Sequence, residues 1–193
     1  RYLVADGLGL EFHALFFVLT AAVGEWLGGR FDWRTIRLPS LVLWIPIGIM
    51  ALAHVILTGP LFVGWGWLIW PAAVVVHYWM LHRLDHVPYL RSYHAIGLWL
   101  VAWLAMLDLT VRNFTWHGND LWDVLIVLTV PVVLILLVTL LGQRLAWPTA
   151  KHYPHYMSVG LAPLILILVI FSVVSNFWHD GDSTPFTYLP LFN

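Results

Sequence analysis

The amino-acid sequence predicts an all-α, polytopic transmembrane helix bundle of about six spans, several of them kinked by proline. Three observations carry this reading. Of 193 residues, 61% are hydrophobic and only 10% charged, whereas a soluble domain has about 25% charged residues. Apolar runs of roughly 20 residues, enough to cross a hydrocarbon core of about 30 Å, recur along the whole chain. Stretches such as Leu125 to Val138 are apolar on every side, where a membrane β-strand would alternate over ~10 residues.

The runs are Leu8–Leu27, Ser40–Thr58, Leu61–Leu81, Tyr93–Val111, Leu121–Leu141 and Tyr156–Trp178. The first is the weakest, because Glu11, His13 and Glu25 interrupt it. The chain is read as one transmembrane domain over residues 1–193. It starts at Arg1 and stops at Asn193 just after an apolar run, so a longer polytopic chain is expected.

Basic residues set the expected orientation. Arg30, Arg34, Arg37, Arg83, Arg91, Arg144 and Lys151 follow spans one, three and five, leaving Arg1 and Arg112 for the other side. The positive-inside rule puts the larger group in the cytoplasm and both ends of the chain outside. Asp6, Asp120, Asp123, Asp180 and Asp182 then fall on the outer side. The expected location is a cytoplasmic membrane.

Of the 13 tryptophans, Trp26, Trp33, Trp116, Trp122, Trp147 and Trp178 lie near span ends. There an amphipathic ring anchors in the headgroup layer. Pro46, Pro71, Pro131 and Pro163 fall inside spans two, three, five and six. Each removes an amide donor, and neighbouring groups must satisfy the freed carbonyl. Gly24 and Gly28 have the GxxxG spacing that lets backbones approach closely.

Ionisable groups at membrane depth cost roughly 2.5–3.5 kcal/mol at a helix centre on insertion scales, so they are the best functional hints. They fall into two layers. The outer polar cluster comprises Glu11, His13, His54, Asp108 and Asp123, with His54 and Asp108 at matching depth. The inner cluster comprises Glu25, His77, His94 and His152, with His82, His86 and His155 in the adjoining loops. His77, His82 and His86, with His152 and His155, prompt comparison with the histidine boxes of membrane di-iron enzymes. Their spacing is uneven and no HxxHH element occurs, so they are read as interfacial residues contacting headgroup phosphates. No metal or cofactor is expected. The sequence also lacks cysteine, a phosphate loop and a nucleophile elbow, so no catalytic residue is assigned.

The stretches Gly66-Trp-Leu-Ile-Trp-Pro-Ala-Ala-Val-Val-Val-His-Tyr-Trp79 and His94-Ala-Ile-Gly-Leu-Trp99 are distinctive. So is the closing Ser175-Asn-Phe-Trp-His-Asp-Gly-Asp-Ser-Thr-Pro-Phe-Thr-Tyr-Leu-Pro-Leu-Phe-Asn193. With Gly29 to Trp33 and Trp147 to His152, they make the chain resemble a large bacterial family of predicted multi-pass membrane proteins of unknown function. The resemblance implies a longer chain with further spans. It matches His77, His94, His152, Asp180, Gly181, Asp182, Tyr188, Pro190 and Asn193, and departs at His82, His86 and His155. Asp180, Asp182 and Tyr188 form its tail motif.

The leading functional expectation is a non-catalytic cell-envelope module that binds or moves a small or lipidic ligand, or scaffolds partners. A metal-dependent membrane enzyme using the inner histidines comes second, and a purely structural subunit third. Expected partners are membrane lipids and the rest of a longer chain or other membrane subunits. A net charge of −1 without a basic block gives no footing for nucleic acid.

Overall fold

In the computed structural model, residues 2–114 and 121–178 are described. Helix α1 (Tyr2–Phe31) leads through a tight turn at Asp32 to the short α2 (Arg34–Leu41), which folds back along it. Then come α3 (Trp44–Leu57), α4 (Gly66–Arg83), α5 (Tyr93–Phe114) and α6 (Leu121–Leu141). A wide turn over Ala146–Ala150, with Trp147 in extended backbone, precedes the single-turn α7 (Tyr153–His155). A π-helical turn over Tyr156–Gly160 then enters α8 (Ala162–Trp178).

Helix α1 packs on α2, α3 and α4, and α5 on α3, α4 and α6. One apolar core therefore lies among α1, α3, α4 and α5, around Ile47, Ala51, Ile69, Trp70 and Leu104. A second, around Leu98, Ala102, Val138, Tyr156 and Leu164, joins α5 to α6 and α8. The distribution of polarity is that of a protein solvated by lipid. Phe16, Ile56 and Leu140 are 64%, 71% and 67% exposed, while Glu11, Glu25, His54, His77, His94, Asp108 and His152 are buried. Polar groups shun hydrocarbon and gather inside the bundle.

The count of six spans is corrected. Among the described residues, four helices are long and apolar enough to cross a membrane: Gly9–Phe31, Tyr93–Asn113, Val124–Leu141 and Tyr153–Val174. Trp44–Leu57 is a shorter apolar helix, about 21 Å long at ~1.5 Å per residue. The run expected over Ser40–Thr58 is broken at residues 42–43, between α2 and α3. The run expected from Leu61 opens as a loop, with Gly59 and Gly64 at φ +111 and +54, backbone that favours glycine. What remains is α4, which carries three tryptophans, His77, His82 and Arg83. These dilute its hydropathy, and α1 and α5 pack against it.

The prolines also behave differently from the expected four kinks. Pro46 sits in the first turn of α3, where its missing amide costs nothing. Pro163 follows the π-helical turn, whose Leu161 amide reaches back to the Tyr156 carbonyl at 2.9 Å. The indole of Trp99 donates to Gly160 O at 3.0 Å, and Trp103 likewise ties α5 to α3 through Gly48 O at 3.1 Å. Pro71 and Pro131 lie inside α4 and α6. Trp26 and Trp33 are exposed as anchors should be, and Trp65 and Trp67 also face outward; Trp70 is buried.

Candidate functional site

Two polar layers occur, one at each end of the bundle. At the first, α1 and α4 end and α5 begins. Glu25 of α1 is fully buried, and Arg37 of α2 grips its carboxylate through Nε at 3.1 Å to both oxygens and Nη2 at 2.6 Å. Arg83, at the end of α4, approaches to 3.7 Å. Both arginines need the glycines beside Glu25. A methyl group on Gly28 would collide with the Arg37 stem, and one on Gly29 would stand 2.6 Å from Arg83 Nη2. The GxxxG spacing thus serves α2 and an ion pair rather than a second spanning helix.

The same end holds a second constellation, built from three separate segments. Asp85 lies in the turn after α4, His94 in the first turn of α5, and Lys151 with His152 just before α7. His152 Nε2 lies 2.6 Å from Asp85 Oδ1, and His94 Nε2 lies 3.6 Å from the same oxygen. Lys151 donates to Asp85 Oδ2. The two imidazoles stack with centroids 3.9 Å apart and planes 12° from parallel. Trp147 packs edge-on against His94, His82 and Tyr78, so it builds this site rather than serving only as an anchor. Tyr78 donates to the His94 carbonyl at 3.3 Å, close to where Gly97 leaves room for its ring. His77 is buried one turn away, against the backbone of Tyr93.

A pocket of about 310 Å³ opens beside this group, lined by Asp85, Arg91, Lys151, His152, Pro154 and His155. Arg91 is exposed there, and no carboxylate among the described residues pairs with it. Burial would raise the Asp85 pKa, but hydrogen bonds from Lys151 and His152 outweigh it and hold the carboxyl below its ordinary 3.8. The network therefore stabilises the fold above about pH 4 and loses that contribution as pH falls through the depressed pKa. In thermal unfolding, the gap between wild type and Asp85→Asn should stay constant above about pH 5 and close at lower pH.

At the opposite end, the loop of residues 58–65 carries the polar contacts. Asp108 of α5 accepts from the Phe62 amide at 3.0 Å and from Arg112 Nε at 2.6 Å. Arg112 in turn donates to Phe62 O at 3.0 Å. His54 turns instead to the Pro60 backbone and lies edge-on to Trp70. Glu11 rests against the Gly66 amide. His54 and Asp108 thus share a loop rather than a direct bond. His13 is exposed on α1, its ring against the Gly9 carbonyl of its own helix. Asp180, Asp182, Tyr188 and the side chain of Asp123 lie outside the described residues.

The sequence reading missed Arg112 as the partner of Asp108, although their i, i+4 spacing signals a pair. It also left Asp85 and Lys151 outside the inner cluster. They lie 66 residues apart, and no local pattern joins them.

A family profile described as "Predicted membrane protein (DUF2339)" matches residues 8–193. The chain belongs to this family. The expected family of predicted membrane proteins of unknown function is therefore the right one, and with four helices among the described residues long and apolar enough to span, the chain is a multi-pass membrane protein. No curated protein and no solved structure gives a match. For a DUF2339 chain the site must accordingly be read from its own geometry.

Proposed function

We propose that this DUF2339 chain is a non-catalytic module of a polytopic protein in a bacterial cytoplasmic membrane, and that it binds a lipidic or small ligand through an anionic group. The observation that carries the reading is the pocket beside Asp85, where Arg91, Lys151, His152 and His155 converge at the level where helices end. Basic pockets between membrane helices are suited to anionic headgroups. Asp85 neutralises Lys151 and holds His152, leaving Arg91 and His155 to meet the ligand. The arginine-rich end lies in the cytoplasm in this reading, on the seven-to-two division of the basic residues.

Native mass spectrometry of the full-length protein tests it. Phosphatidylglycerol should stay bound at collision energies that strip phosphatidylcholine, and inorganic phosphate should compete with it. Equal retention of the two lipids, with no effect of phosphate, would leave the structural-subunit reading in its place.

A further inference from the structure

We propose that Asp85, His94 and His152 form a binding site for a divalent first-row transition metal ion, with its open coordination position facing the pocket. The uneven histidine spacing argued against a metal, but the fold supplies a different set of ligands. One carboxylate oxygen and two imidazole nitrogens, from three chain segments, all lie within 4.8 Å of one another. This nitrogen–oxygen donor set suits zinc, iron(II) or cobalt(II). Metal–ligand bonds of ~2.0–2.2 Å place tetrahedral donor atoms about 3.3 Å apart. The Asp85–His94 separation of 3.6 Å is close to this, and the 2.6 Å between Asp85 and His152 must open slightly.

The second observation is the state of His94. Its side chain is 1% exposed, its Nδ1 has no partner, and its Nε2 points at Asp85 from beyond hydrogen-bonding distance. The ring nitrogen that faces Asp85 thus makes no hydrogen bond, and an ion between Nε2 and Asp85 Oδ1 would engage it, with the ring proton held on Nδ1. Lys151 occupies Oδ2 and fixes the carboxylate from outside, as outer partners of metal ligands do, while an ion at Oδ1 would exchange the His152–Oδ1 hydrogen bond for coordination by both groups. Trp147 closes the apolar side of His94, so the remaining position faces Arg91 and His155 in the pocket.

This inference does not rest on the anion reading, and its probe is the metal alone. Chelator-stripped full-length protein, dialysed against zinc and separately against cobalt(II), should retain about one equivalent. Retention should fall at least tenfold in Asp85→Asn and in His152→Ala, and stay unchanged in His86→Ala. X-ray absorption of the loaded wild type, which does not depend on any variant folding, should show two imidazole ligands. Less than about a tenth of an equivalent in wild type, or an absorption spectrum without imidazole, overturns the proposal. Lipid retention measured in chelator reports the anion reading separately.

Discussion

Arg37→Ala is expected to be the most damaging single substitution away from the apolar cores, lowering stability by about 3 kcal/mol. The reason is an asymmetry of burial. Glu25 is fully inaccessible, whereas the Arg37 and Arg83 side chains keep 20% and 35% of their exposure. Removing Arg37 deletes the contacts at 2.6 and 3.1 Å and leaves a buried carboxylate facing Arg83 alone at 3.7 Å. Breaking a buried pair from one side costs ~3–5 kcal/mol because the other charge stays unpaired, and Arg83 offsets part of that. Glu25→Gln should cost less, about 1–2 kcal/mol, since it removes the buried charge and leaves arginines able to reach water. Thermal unfolding in detergent should show Arg37→Ala lowered by about 6–12 °C, and Glu25→Gln by less. The reverse order would mean that the carboxylate is held by something other than Arg37.

Asp108→Ala is expected to cost about 2–3 kcal/mol, because one carboxylate joins α5 to the loop of residues 58–65. Hydrogen bonds to a charged group contribute ~1.5–3 kcal/mol. Asp108 holds both the Phe62 amide at 3.0 Å and the Arg112 guanidinium at 2.6 Å. The side chain of Arg112 is 39% exposed and finds water after the loss, so the Phe62 amide bears most of the cost. Asp108→Asn keeps an acceptor there and should recover about half of the stability. Hydrogen exchange gives the direct reading: the Phe62 amide should be protected in wild type, weakly protected in Asp108→Asn and unprotected in Asp108→Ala. Protection unchanged in Asp108→Ala would show that the loop is held from elsewhere.

The division of polar residues into two layers was legible in the sequence, because position along a spanning helix converts directly into depth. Glu25, His77, His94 and His152 fall at one end, and Glu11, His54 and Asp108 at the other. Partners were not legible, because they depend on which helices are neighbours. His54 and Asp108 share a depth, yet each turns to a different residue of one loop. Helix α2 was hidden because Arg34–Leu41 carries Arg37 and Pro39 between apolar residues and reads as a polar connection. That connection is where the partner of Glu25 resides. Asp85 was passed over as a loop acid, since only the return of the chain at Lys151 and His152, 66 residues later, gives it a role. The number of spans was overestimated because counting apolar residues does not reveal the glycine loop that delays α4 until Gly66.

The central claim is that the pocket beside Asp85 receives an anionic group, and a charge reversal at its rim tests it most directly. Arg91 is exposed, lines the pocket and pairs with no carboxylate among the described residues, so Arg91→Glu should leave the fold intact. Phosphatidylglycerol retention by full-length protein should fall at least tenfold in Arg91→Glu and be unchanged in Arg30→Glu, whose arginine is exposed at the end of α1. Retention that survives Arg91→Glu, or falls equally in both variants, would contradict the claim and assign the lipid preference to the general charge of that end.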